Sequence, residues 1–180
     1  ALLQARRSAT PADAQPLAAS LSGPDQAYAV QMAVMAQLTG QPGVPQHWKS
    51  GGPSRDLPLT HAPLPPDGVW TSAATAGDWT FHQRGIEIEI ALRLGVAVDA
   101  AQAASLQPDA VDHLIDAMAV SIEIVDSRWQ QGMAAAPLLR LADVLSFGGV
   151  IRAGSNCRVG SASGFARCRW TSTLPLGSLT

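Results

Sequence analysis

The sequence predicts an α+β fold in which N-terminal helices pack on a β-sheet. Three observations point there: apolar residues at helical spacing between Pro24 and Gly40, two segments in which apolar and polar residues alternate strictly, and a further helical run between those segments. At 180 residues the chain suits one domain, long enough to bury roughly 70% of the surface its unfolded form exposes. No disulfide or structural metal is needed for folding alone.

The first helix opens at Pro24 and Asp25, with Asp25 as N-cap, and carries Tyr28, Met32, Met35 and Leu38 on one face until Gly40 ends it. From Gln41 to Trp79 the chain is rich in Pro, Gly and Ser, which predicts loops and short extended pieces. The clearest strand is GIEIEIALRLGV, where Ile86, Ile88, Ile90, Leu92 and Leu94 alternate with Glu87, Glu89, Ala91 and Arg93. Pro108 and Asp109 then begin a helix with Val111, Leu114, Ile115 and Met118 on one side. A second alternating segment, AVSIEIVDSR, sets Glu123 between Ile122 and Ile124. The run from Pro137 to Ser146 reads as a helix stopped by Gly148 and Gly149.

Composition excludes several classes. Hydrophobic residues make up 47% and charged residues 14%, with a net charge of -2, so the chain is neither disordered nor equipped with a basic stripe for nucleic acid. Its apolar runs fall short of the ~20 residues of a membrane helix. The opening ALLQARR places arginines after a short apolar stretch, the reverse of a secretory signal, and the cytoplasm is the expected compartment. Cys157 and Cys168 have no neighbouring histidine or second cysteine pair to complete a zinc site, and read as structural or incidental. His113 reads as a surface residue within a helix, and His47, His61 and His82 as residues of loops or of the approach to a strand, none with a second histidine at ligand spacing.

The charged residues are chosen unevenly. Eleven acidic residues are Asp, scattered over caps and turns, and the only three Glu are Glu87, Glu89 and Glu123, all in the two alternating segments. Residues two apart on a strand share a face, about 7 Å apart, so Glu87 and Glu89 can converge on one object and Glu123 can join from a neighbouring strand. Adjacent carboxylates repel unless a cation neutralises them, and oxygen donors suit Mg²⁺ or Mn²⁺. Solvent-facing glutamates on a half-exposed sheet would give the same alternation. The single lysine, Lys49, sits in QHWKSGG among eleven arginines. A desolvated lysine exchanges a proton near neutrality where arginine does not, although a chance surface lysine also fits.

Five segments carry a resemblance that spans residues 1–150: AYAVQ at Ala27–Gln31, HWKSGG around Lys49, GIEIEIALRLG at Gly85–Gly95, SIEIVDSR at Ser121–Arg128 and LADVLSFGG at Leu141–Gly149. In this order they resemble the fumarylacetoacetate hydrolase-like superfamily, in its branch of 2-keto-4-pentenoate hydratases and related 2-oxo-acid decarboxylases. The resemblance implies a mixed, strongly curved sheet of the β-roll type and metal ligation by Glu87, Glu89 and Glu123. It also implies Lys49 as an acid/base or carboxylate-binding group and Ser146 as a holder of the substrate carboxylate. Asp126 and Arg128 match the family's block too, and a strand-end ion pair explains them equally well.

The activity implied is hydration of a 2-hydroxy-2,4-dienoate to a 4-hydroxy-2-oxo acid with Mg²⁺ or Mn²⁺. Alternatives are decarboxylation of a 2-oxo dioic acid of the 4-oxalocrotonate type, or an inactive, truncated partner subunit. Carbon–carbon hydrolysis of an acylpyruvate would call for a His–acid pair that this sequence does not offer. Expected partners are the small-molecule substrate, with a homo-oligomer or association with a related decarboxylase, and neither nucleic acid nor membrane. The chain departs from the family at His47, where glycine usually precedes Trp–Lys, and from residue 151 onward. No acidic residue follows Asp143, and Arg, Ser and Cys accumulate there. Residues 1–150 are therefore expected to form the catalytic domain and 151–180 an atypical tail that leaves the sheet incomplete, as a frameshifted or truncated reading frame would give; intact mass and the coding sequence test this.

Overall fold

The computed structural model describes residues 1–40, 44–52, 54, 56–107 and 110–153, and the backbone of Cys157 and Arg158. The observed class is α+β. Helix α1 (Leu2–Ser8) and helix α2 (Pro24–Thr39) come first, followed by a ribbon of β1 (Trp48–Gly51) and β2 (Thr60–Pro63) and by short β3 (Val69–Thr71). Then follow β4 (Gly85–Leu94), α3 (Ala100–Ser105), β5 (Ile115–Val125), α4 (Pro137–Ala142), β6 (Phe147–Arg152) and β7 (Cys157–Arg158). Strand order is β3-β6-β5-β4, with β7 pairing to β5. The β3–β6 pair is parallel and the β5–β6 pair antiparallel, so the sheet is mixed, as expected.

Two compact units share the chain. One holds Ala1–Glu89 and Val120–Gly154; the other holds, among the described residues, Ile90–Ala119 and β7. In the first unit, Leu2, Val34, Trp129, Leu139 and Leu141 form a core between α1, α2 and α4, and the Trp129 indole donates to the carbonyl of Leu139 at 2.9 Å. A second cluster joins Met35 to Ala62, Leu64, Val144, Phe147 and Val150. Within the second unit, Arg93 and Asp116 form an exposed two-bond ion pair. No helix among the described residues is long and apolar enough to cross a membrane.

Several sequence expectations are corrected. Helix α2 is capped by Gly23, with Pro24 at its first position; Asp25 makes no capping bond and sits in the first turn. Its buried face is Ala27, Gln31, Val34 and Met35, while Met32 and Leu38 are exposed. The face is rotated toward Gln31, whose buried amide is satisfied by donating to the carbonyls of Leu141 at 2.8 Å and His61 at 3.3 Å. Gly40, at φ +70°, ends the helix as expected.

The helix expected from Pro108 and Asp109 is not the observed element. Those two residues lie outside the described ones; Asp112–Leu114, including exposed His113, is a 3-10 turn, and Ile115 and Met118 belong to β5. The helix joining the two long strands is α3, which begins with a reciprocal cap. Asp99 accepts from the Gln102 N–H, and the Gln102 side chain accepts from the Asp99 N–H.

Nor does the helix at Pro137 reach Ser146. It ends at Ala142, and Val144, Leu145 and Ser146 follow with φ of 54°, 54° and 59°. Gly148 and Gly149 lie inside β6 rather than stopping a helix. A Cβ on Gly148 would stand 2.6 Å from the Ile124 carbonyl and 2.8 Å from Asp126 Cβ, so that close approach admits only glycine.

Candidate metal centre

Strand β4 places Glu87 and Glu89 on one face, as residues two apart must be, and β5 lies beside it in the sheet. On β5 the residues Ala117, Ala119, Ser121, Glu123 and Val125 are buried while the intervening ones are more open, so Glu123 points to the covered face. Glu87, Glu89 and Glu123 each offer a carboxylate oxygen, and these oxygens lie within 4.8 Å of one another. Burial is graded: Glu87 is exposed, Glu89 half-buried, and Glu123 only 1% exposed. The opposite face of β4 is open, with Ile86 at 70% and Ile88 at 78% exposure, so the alternating apolar residues of this strand form no buried core here.

Lys49 is on β1, opposite Ala62, and belongs to a strand ribbon rather than to a loop. Its Nζ lies 2.6 Å from each carboxylate oxygen of Glu123. Burial pushes the Glu123 carboxyl up to about 7; Lys49 opposes that shift by charge and hydrogen bond, while Glu89 and Glu87 add to it. Burial outweighs the ion pair, although a contact to both oxygens favours the ionised form. One ammonium balances one of three carboxylates, and a divalent cation would balance the other two. The donors are hard oxygens on two neighbouring strands, so the residues fit Mg²⁺-like ions.

Ser146 is placed nearby in sequence register but not in contact. Phe147 pairs with Val125 and Val150 with Glu123, so Ser146 stands at the end of the β5–β6 pair, beyond Glu123. Its side chain makes no hydrogen bond to Lys49 or to any of the three glutamates. Its Oγ is buried and unpartnered among the described residues, in the left-handed turn after α4.

The histidines stay out of the cluster. His61 stacks on Tyr28 at 4.4 Å between ring centroids, and the backbone N–H of His82 donates to Asp126. A separate cleft of about 500 Å³ in the same unit is lined by Arg6, Asp67, Trp79, His82 and Arg128 and includes none of the three glutamates. Cys157 lies in β7, and Cys168 is outside the described residues.

Residues that the sequence left open or silent form a second polar constellation. Arg6 Nη2 donates to Asp143 Oδ1 at 3.0 Å, and Asp143 Oδ2 accepts the Arg128 backbone N–H at 2.7 Å. Arg128 Nη2 lies 3.1 Å from Asp126 Oδ2 and donates to the Phe147 carbonyl at 3.3 Å. The DSR block held a signal for Asp126 and Arg128, and Asp143 falls inside the LADVLSFGG segment without being singled out, whereas nothing local marks Arg6.

No protein-family model matches the sequence, and no curated protein matches it either. Solved structures do share its architecture. One is 4-oxalocrotonate decarboxylase from Pseudomonas putida G7 complexed with magnesium and adipate, with a TM-score of 0.66 and 15% identity over 87% of this chain and 61% of that one. The same decarboxylase complexed with calcium and acetate gives 0.63 and 16% over 87% of this chain and 60% of that one. At such identity the likeness establishes a shared fold and nothing finer. This chain spans about three-fifths of the length of those decarboxylase chains.

Proposed function

We propose that this chain is a divalent-metal-dependent lyase for 2-oxo acids, and that it releases CO₂ from a 2-oxo dioic acid of the 4-oxalocrotonate type. The observation that carries the reading is the convergence of Glu87, Glu89 and Glu123 within 4.8 Å, with Lys49 held against the most buried of them. The choice of reaction is supported by the solved decarboxylases of the same fold, one of them bound to magnesium and to the dioic acid adipate.

Glu87, Glu89 and Glu123 would hold Mg²⁺ or Mn²⁺, which when bound supplies positive charge where the substrate's 2-oxygen becomes negative. Lys49 holds a proton at Nζ beside the cluster. Ser146 offers its buried, unpartnered hydroxyl to a substrate carboxylate. In the reaction, the bond to the departing carboxylate breaks and its electron pair moves through the conjugated carbons to the 2-oxygen. CO₂ leaves, and a proton taken up from Lys49 completes the product.

Hydration of a 2-hydroxy-2,4-dienoate is the second reading, favoured by the five ordered segments that resemble the hydratase branch. It uses the same sink for charge at the 2-oxygen. The catalytic region is proposed to lie within residues 1–150, in a cytoplasmic protein that forms a homo-oligomer or associates with a related decarboxylase.

Incubating the chain with Mg²⁺ and a small panel of 2-oxo acids, with CO₂ capture and mass analysis of products, tests the proposal. Release of CO₂ from the dioic acid is expected. Water addition to the dienoate without CO₂ release selects the hydratase. Metal binding with turnover of neither, together with co-purification with a related chain, selects a non-catalytic subunit.

A further inference from the structure

We propose that Asp126 is a positioning residue that sets Glu87 and Glu89 against Glu123 by anchoring the backbone that leads into β4. The proposal rests on the metal reading above and deepens it.

Asp126 is fully buried, just beyond the end of β5 and three residues after Glu123. Its Oδ1 accepts two consecutive backbone N–H groups, those of His82 and Gln83, each at 2.7 Å. Only Arg84 separates those residues from β4, so a single carboxylate oxygen fixes the strand's approach a few residues before Glu87. Two charge-assisted bonds to one oxygen make a stronger and more directional anchor than a neutral turn provides.

The rest of Asp126 is tied to the other half of the site. Its backbone N–H donates to the Ser146 carbonyl at 2.7 Å. Its Oδ2 faces Arg128 Nη2 at 3.1 Å without hydrogen-bond geometry. One side of the residue therefore holds the segment that delivers Glu87 and Glu89, and the other holds the turn that carries Ser146.

Close packing at the same place makes the anchor consequential. A Cβ on Gly85 would lie 3.2 Å from Val125 Cβ, so the start of β4 already runs hard against the end of β5. Only Arg84, at φ 55°, and the strand residues Gly85 and Ile86 separate Gln83 from Glu87, which leaves little slack in which to absorb a shift. Metal ligands tolerate displacements of only about ±0.2 Å, and partners of this indirect kind typically change metal affinity about 10- to 100-fold.

The test is direct Mn²⁺ titration of the full chain and three variants, each first checked for folding by circular dichroism. Asp126→Ala removes the acceptor and is expected to weaken Mn²⁺ binding about tenfold or more. Asp126→Asn keeps a carbonyl oxygen for both N–H groups and is expected to recover most of the affinity. Asp143→Asn perturbs the same buried network without touching the His82 and Gln83 amides, and is expected to leave the affinity unchanged.

Unchanged binding in Asp126→Ala, or equal weakening in Asp143→Asn, would overturn the positioning role while leaving the metal centre standing. A folded wild-type chain that binds no Mn²⁺ would overturn both. Should Asp126→Ala not fold, Gln83→Pro replaces it, deleting one of the two donors and leaving every charged side chain in place. About threefold weaker Mn²⁺ binding is then expected, and unchanged binding overturns the proposal.

Discussion

Two groups of charged residues sit in the same compact unit and are built in opposite ways. Arg6, Asp143, Arg128 and Asp126 are buried, two positive charges against two negative, and each charge meets a partner. Glu87, Glu89, Glu123 and Lys49 run from exposed to buried, with three negative charges against one positive. A balanced buried network holds structure in place, and truncating one member leaves a stranded charge. The unbalanced, half-open cluster instead has carboxylates to spare for a cation. The contrast suggests where substitutions should cost stability and where they should cost function.

The largest stability effect is expected from Asp143→Ala, which strands the Arg6 guanidinium in the core and removes the acceptor of the Arg128 N–H. A loss of about 3–5 kcal/mol is expected from urea unfolding. A loss under about 1 kcal/mol would put this network on a par with a surface pair.

Next comes the pH response of Glu123. Its carboxyl titrates near 7 in the folded chain against 4.5 otherwise. Between those values the folded state keeps a proton that the unfolded state has lost, so the metal-free chain loses stability as pH rises through that window, by at most about 3 kcal/mol. Metal affinity should move the other way, since ligation needs the deprotonated carboxylate, strengthening up to about pH 7 and then levelling. Urea midpoints and Mn²⁺ titrations near pH 5 and near pH 8 check both signs. A midpoint that rises with pH would show that the Lys49 contact, not burial, governs Glu123.

The smallest effect should follow from Arg93→Ala. That pair with Asp116 is solvent-exposed, and its removal should leave the urea midpoint unchanged despite two short hydrogen bonds.

The open cluster was also the more legible of the two in the sequence. Restriction of glutamate to two alternating segments, and a lone lysine among arginines, marked four side chains that the fold brings together. Of the buried network only the Asp126–Arg128 pair was legible, because Arg6 and Asp143 meet across 137 residues of chain. Helix α1 is short and has no side-chain cap to announce it.

Elsewhere, local pattern and tertiary packing disagreed. Val111, Leu114, Ile115 and Met118 fit helical spacing, yet the small residues Ala117, Ala119 and Ser121 alternate with the strand and are the ones buried. The left-handed turn at Val144, Leu145 and Ser146 opposes the preferences of two bulky residues, so no propensity argument finds it. Asp99 and Gln102, by contrast, carry a readable capping pattern that marks the start of α3.

Isothermal titration of the metal-free chain with Mg²⁺ and Mn²⁺, alongside Glu87→Gln, Glu89→Gln and Glu123→Gln, shows whether the three glutamates hold a metal. One ion is expected to bind the native chain, with binding weakened in all three variants, most in Glu123→Gln, by about a hundredfold or more. A folded native chain that binds neither ion, or binding that survives in all three variants, would contradict the metal centre.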